Sequence, residues 1–134
     1  MKAALLALAF LLPAAAQETP REYSGLWQAQ SDTSLEMNVE KSGDTVHVTE
    51  RHAAKVKSEY TCKLGGGECI FQLDGHKAKI ALWINGPYLV EMRTKGEAVT
   101  KRRLMLKDDK TLQLEVMPVF PQGKKDVILF TRLK

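Results

Sequence analysis

The chain has 134 residues, of which 27% are charged, and a formal net charge of +4. That length fits one domain. Lysine and arginine are interspersed with aspartate and glutamate instead of gathering in one block, which argues against a nucleic-acid partner.

The first segment reads as an export signal. Met1-Lys2 supplies a positive start, Ala3 to Leu12 is unbroken apolar sequence, and Pro13 with Ala14-Ala15-Ala16 gives the small-x-small pattern of a signal-peptidase site. The apolar run is too short to cross a bilayer, which needs about twenty residues. Cleavage is expected after Ala16, leaving residues 17–22 as a short disordered N-terminus and 23–134 as a single β-barrel domain. Cleavage removes Lys2 and lowers the formal charge to +3 (4 − 1). Gln17 and not Cys follows the cut, so no lipid anchor forms there. The expected location is a periplasm or the outside of the cell.

From Tyr23 onward short alternating segments are separated by turn signals, the mark of an all-β protein. Ser24 to Gln30 is the first strand. Leu35, Met37 and Val39 form one face of the second, with Glu36, Asn38 and Glu40 on the other. Ser42-Gly43-Asp44 turns the chain into Val46-x-Val48. Val56, Ser58, Tyr60 and Cys62 then oppose Lys55, Lys57, Glu59 and Lys63.

A glycine loop leads to Cys69 through Leu73, and Asp74-Gly75 turns it into Ala78-x-Ile80-x-Leu82. Asn85-Gly86-Pro87 is a tight turn before Tyr88-x-Val90-x-Met92, whose opposite face is read as Glu91 and Arg93. Lys95-Gly96-Glu97 turns into a strand ending in Leu104-x-Leu106. Asp108-Asp109 precedes Leu112-x-Leu114-x-Val116, Phe120 to Lys125 is a longer loop, and Val127 to Leu133 closes the chain.

The expectation is an antiparallel up-and-down meander of about 8–10 strands closing into a lipocalin-like β-barrel, since closure removes the sheet edges. Charged outward faces exclude an outer-membrane barrel, whose outside is apolar.

The two cysteines are expected to pair in an exported chain. Cys62 and Cys69 enclose three glycines that let the backbone reverse. His47, His52 and His76 read as surface residues, because His47 and His52 would face opposite ways on one strand. No metal site, cofactor or catalytic constellation is recognised; there is no G-x-S-x-G, and both cysteines are committed.

Gly25-Leu26-Trp27 at the head of the first strand, together with Arg132 on the last, resembles the calycin superfamily of lipocalins and fatty-acid-binding proteins. The resemblance implies that Trp27 packs against Arg132 at one end of the barrel, in a structural role shared with Gly25. Asp74-Gly75-His76, Asp109-Lys110-Thr111-Leu112 and Ile128 to Arg132 extend a likeness to small exported bacterial proteins described as lipocalin-like. The T-D-Y motif of true lipocalins is absent, and no helix pair follows the first strand.

Four residues are candidates for contact with a ligand. Arg102 shares an inward face with Ala98, Thr100 and Leu104 if the alternation is unbroken, and could neutralise a carboxylate or phosphate head. A bulge or the barrel rim would instead leave Lys101, Arg102 and Arg103 in water, and the rarity of unpaired buried charge favours that. Trp83, Tyr88 and Met92 flank the Asn85-Gly86 turn and could form a flexible apolar mouth, although residues of this kind more often belong simply to the core. Glu50 is in phase with Val46 and Val48, but the strand is expected to end there.

The interior therefore reads as almost wholly apolar. The expected function is non-catalytic binding of a small apolar or amphiphilic ligand by a monomer without membrane insertion. The alternative is a secreted interaction or inhibitor protein with a packed core, acting through loops such as Leu64 to Glu68 or Phe120 to Lys125.

Overall fold

The structure, a computed structural model, describes residues 23–134. The expected signal peptide and the segment 17–22 lie outside the described residues. Ten antiparallel strands follow one another: β1 (Gly25–Ala29), β2 (Leu35–Ser42), β3 (Thr45–His52), β4 (Lys55–Lys63), β5 (Cys69–Leu73), β6 (His76–Asn85), β7 (Tyr88–Lys95), β8 (Ala98–Asp108), β9 (Thr111–Phe120) and β10 (Asp126–Arg132). Each pairs with the next, and β10 returns to β1, so the sheet closes into a barrel with no free edge. Among the described residues there is no helix, and so none long and apolar enough to cross a membrane.

Short turns keep neighbours sequential. At Asp74-Gly75 both residues have positive φ, 49° and 78°, the geometry that a two-residue hairpin turn requires. Alternation then sends one face inward. Met37, Val39, Val46, Val48, Ile80, Leu82, Leu89, Leu104, Leu112 and Phe130 are all nearly fully buried.

Two irregularities matter. The register shifts between Glu50 and Arg51, so that Glu50 faces Ser58 but Arg51 faces Val56. Val56, expected inward with Ser58, is consequently exposed. The β4–β5 ladder is the shortest seam, with only Ser58↔Leu73 and Glu59↔Gln72 as partners. The Cys62–Cys69 disulfide lies across this hairpin, Cα atoms 5.8 Å apart, and clips the seam that backbone pairing holds least.

The closed end of the barrel is built around Trp27. Its indole is fully buried and donates from Nε1 to the Tyr23 carbonyl at 2.8 Å. The Arg132 guanidinium lies 4.2 Å from the ring centroid, and donates to the Asp109 carbonyl at 2.7 Å and the Ser24 carbonyl at 2.5 Å. A Cβ at Gly25 would meet Arg132 Nη1 and the Lys134 carbonyl oxygen, each at 2.7 Å. The glycine of G-x-W is thus the space through which Arg132 reaches its stack.

A charged layer beneath an open cavity

Above the apolar core the interior changes character. From the rim inward β7 presents Lys95, Arg93, Glu91 and Leu89, and β8 presents Ala98, Thr100, Arg102 and Leu104. The pairings Arg93↔Thr100, Glu91↔Arg102 and Leu89↔Leu104 put these side chains on one inward face. Across the barrel β3 brings in Glu50 and β4 brings in Tyr60. Glu50, Glu91, Arg93 and Arg102 meet there as two acids and two bases.

The network is closed on itself. Arg102 reaches Glu50 Oε1 at 2.6 Å from Nη2, and Glu91 Oε2 at 3.0 Å from Nη1. Arg93 reaches the same two atoms, Glu50 Oε1 at 3.0 Å and Glu91 Oε2 at 3.3 Å. The Tyr60 hydroxyl donates to Glu91 Oε1. Arg93 also lies 5.3 Å from the Phe71 ring centroid and 5.9 Å from that of Tyr60.

Burial alone would raise the Glu50 carboxyl, but Arg102 and then Arg93 outweigh it and hold it at about 2, against an ordinary value of 4.5. Burial opposes the charge on Arg102, and Glu50 and Glu91 more than restore it. Burial, followed by the charge of Glu91, pushes the Tyr60 phenol well above 10.

A cavity of about 370 Å³ opens above this layer. Leu35, Leu73, Leu114, Val116, Ile128 and Phe130 form its apolar wall, and Glu50, Arg93 and Arg102 form its polar inner end. Lys95, Ala98 and Thr100 complete the β7–β8 side. The Glu50 side chain, 15% exposed, is the most open of the four charges, while Glu91 is fully buried behind the two arginines.

Arg102 therefore corrects the expectation that Lys101, Arg102 and Arg103 stay wet. It is 6% exposed, because two carboxylates sit inside to receive it. Trp83, Tyr88 and Met92 form no mouth. The β6–β7 ladder pairs Leu82 with Glu91 and Ile80 with Arg93, so inward even positions on β6 impose inward odd positions on β7. Tyr88, Val90 and Met92 lie on the outer face with Trp83; Met92, paired with Lys101, is level with the charged layer, and Trp83 and Tyr88 lie nearer the end opposite the cavity. Arg103 stacks 4.3 Å from the Tyr88 ring there and pairs with Glu115.

The interior is accordingly less apolar than expected. Residue-by-residue alternation puts Glu50 at a strand end and Glu91 with Arg93 on an outward face, and the structure turns all three inward. The signal that finds the β7 pair is the two-residue turn at Gly86-Pro87, which fixes the parity of β7 from that of β6.

No family model and no curated protein sequence matches the chain. Solved structures do. A fatty acid transporter, REP1-NXSQ, is 13% identical with a TM-score of 0.69, over 83% of this chain and 96% of that one. A Schistosoma mansoni fatty acid binding protein in complex with arachidonic acid is 15% identical, TM-score 0.69, over 85% and 98%. A Drosophila melanogaster fatty-acid-binding protein is 24% identical, TM-score 0.58, over 72% and 71%. At these identities the likeness speaks for architecture alone: the chain has a ten-stranded antiparallel barrel fold like that of these proteins.

Proposed function

We propose that this chain is an exported, soluble, non-catalytic binding protein that carries one small apolar or amphiphilic ligand inside its barrel. The observation that carries this reading is the cavity of about 370 Å³, with an apolar wall and a polar inner end. It falls within the range of about 300–1,000 Å³ of ligand sites, which combine apolar linings with a few placed polar groups. A ligand would lay its chain against Leu35, Leu73, Val116 and Ile128 and turn its head toward Glu50, Arg93 and Arg102. The proteins of similar fold include a fatty acid transporter and a fatty acid binding protein, which agrees with this assignment.

The arrangement does not suit catalysis. Each carboxylate of the layer is tied to two guanidiniums, and the Tyr60 hydroxyl donates its hydrogen bond to Glu91, so no group is poised to move a proton. The export signal at residues 1–16 and the interspersed charge support free solution in a periplasm or outside the cell. The alternative, a packed core with inhibitory loops, accords less well with an open interior.

The experiment is native mass spectrometry of the protein purified from its native host, followed by extraction of any retained small molecule. An apolar or amphiphilic compound held at one per chain is expected. Consistent recovery of empty protein, with no thermal shift from fatty acids, fatty alcohols or apolar probes, would refute the assignment.

A further inference from the structure

The charged layer bears on which ligand the cavity accepts, a question that rests on the binding function just proposed. We infer that the cavity takes an uncharged amphiphile, whose head group both donates and accepts hydrogen bonds, in preference to a fatty acid anion.

Charge balance comes first. Arg93 and Arg102 are the interior cations that a carboxylate head would seek, and each is already bonded to both Glu50 and Glu91. Two guanidiniums face two carboxylates. An incoming anion would be a third negative charge in a buried layer that holds two positive ones, and like charges brought together out of water are strongly unfavourable. The remaining cation at the cavity, Lys95, is exposed at the rim, where solvent screens it.

The layer also turns an acceptor toward the cavity. Both arginines approach Glu50 at Oε1, from Arg93 at 3.0 Å and Arg102 at 2.6 Å. Glu50 is also the most exposed of the four charges and lines the cavity. A carboxylate there accepts hydrogen bonds, and a hydroxyl or amide head can donate one where an ionised fatty acid head cannot.

A polar group without a partner lies next to Glu50, at Ser58. Its Oγ is the buried side-chain polar atom that lacks a hydrogen-bond partner among the described residues. The Ser58 backbone is register partner to Glu50 on one side and to Leu73 on the other, both of which line the cavity. Ser58 itself is buried behind the cavity wall, so the group a ligand head meets directly is Glu50, and the head that suits it is one able to donate a hydrogen bond. A fatty alcohol, a monoacylglycerol or a fatty amide has this chemistry.

The test uses matched chains at pH 8, where the acid is fully ionised. The purified protein is loaded with the neutral probe N-phenyl-1-naphthylamine, and 1-dodecanol and laurate compete for it. Dodecanol is expected to bind at least about tenfold more tightly, a difference of about 1.4 kcal/mol. Laurate binding as well as or better than dodecanol would overturn the inference while leaving the binding function intact. Failure of the probe and of both competitors to bind would overturn the two together. Glu50→Gln removes one negative charge from the layer and is expected to raise laurate affinity until the preference disappears. A preference unchanged in a folded Glu50→Gln protein would show that Glu50 does not set it.

Discussion

Two halves of the barrel interior obey the same alternation and hold together differently. In the closed half Val39, Val46, Leu82, Leu89, Leu104 and Leu112 pack to near-complete burial above the Trp27–Arg132 plug. Stability there scales with apolar surface removed from water and with the absence of voids. In the open half a layer of two arginines and two glutamates spans the barrel, and the cavity lies above it. A buried ion layer is weak evidence for stability, because desolvation offsets most of its attraction. Its members are nonetheless interdependent, since removing one strands the rest. The closed half is therefore expected to degrade gradually on mutation, and the open half abruptly.

The largest effect comes from that contrast. Glu91→Leu leaves two guanidiniums to share Glu50 and is expected to cost about 3–5 kcal/mol in urea unfolding. Arg102→Leu, which would stabilise a protein whose arginine had no partner, is expected here to destabilise it over the same range. Replacing all four charges by Leu and Met is expected to be neutral or stabilising by about 1–4 kcal/mol. In the closed half Leu104→Ala should cost about 2–5 kcal/mol and leave ligand binding unchanged, because Leu104 lies below the layer. A neutral Glu91→Leu would mean that the layer is hydrated and the two halves are alike.

The disulfide comes next. Changing Cys62 and Cys69 together to Ser should cost about 2.5 kcal/mol by loop entropy. Hydrogen exchange should rise first along β4 and β5, where the ladder is shortest. Uniform exchange across the barrel would show that the clip does not guard that seam.

Acid sharpens the contrast between the halves. The folded-state pKa of Glu50 is depressed, so its contribution is fully present above the unfolded value near 4.5 and is lost as pH falls toward about 2. Unfolding midpoints measured across that window should fall steeply in the native protein and less in Glu50→Gln. Parallel curves would contradict the pairing. The smallest effect belongs to the plug: Arg132→Ala should cost about 0.5–2 kcal/mol through the lost stack on Trp27. Gly25→Ala should cost more, about 1–3 kcal/mol, because its methyl would meet the Lys134 carbonyl oxygen as well as Arg132 and Gly25 holds a positive φ of 151°.

The closed half is the legible one. Strands with one apolar and one charged face, such as β2, β6 and β9, declare their orientation, and turn residues set the meander. The open half is harder because β7 carries apolar residues on both faces. Tyr88, Val90 and Met92 look like a core stripe, and a strand that buries Glu91 and Arg93 looks as if it exposes them. Hydrophobicity ranks single residues, whereas the burial of a charge depends on a partner that the fold brings from elsewhere in the chain: Glu50 lies 43 positions before Arg93. Arg102 judged alone belongs in water for the same reason, and only its two carboxylates bring it inside. Cross-strand arithmetic through the Gly86-Pro87 turn carries the answer for β7, and the size of the cavity has no sequence signal at all.

Ligand binding requires the interior beyond the charged layer to be an open site. Titration of the native protein and of Thr100→Trp with N-phenyl-1-naphthylamine is the sharpest check, since Thr100 lines the cavity on β8 and an indole there would fill it. One probe is expected to bind per native chain, with binding lost in a Thr100→Trp protein that still unfolds cooperatively. An absence of binding to the native protein, or binding undiminished in the variant, would contradict an open site.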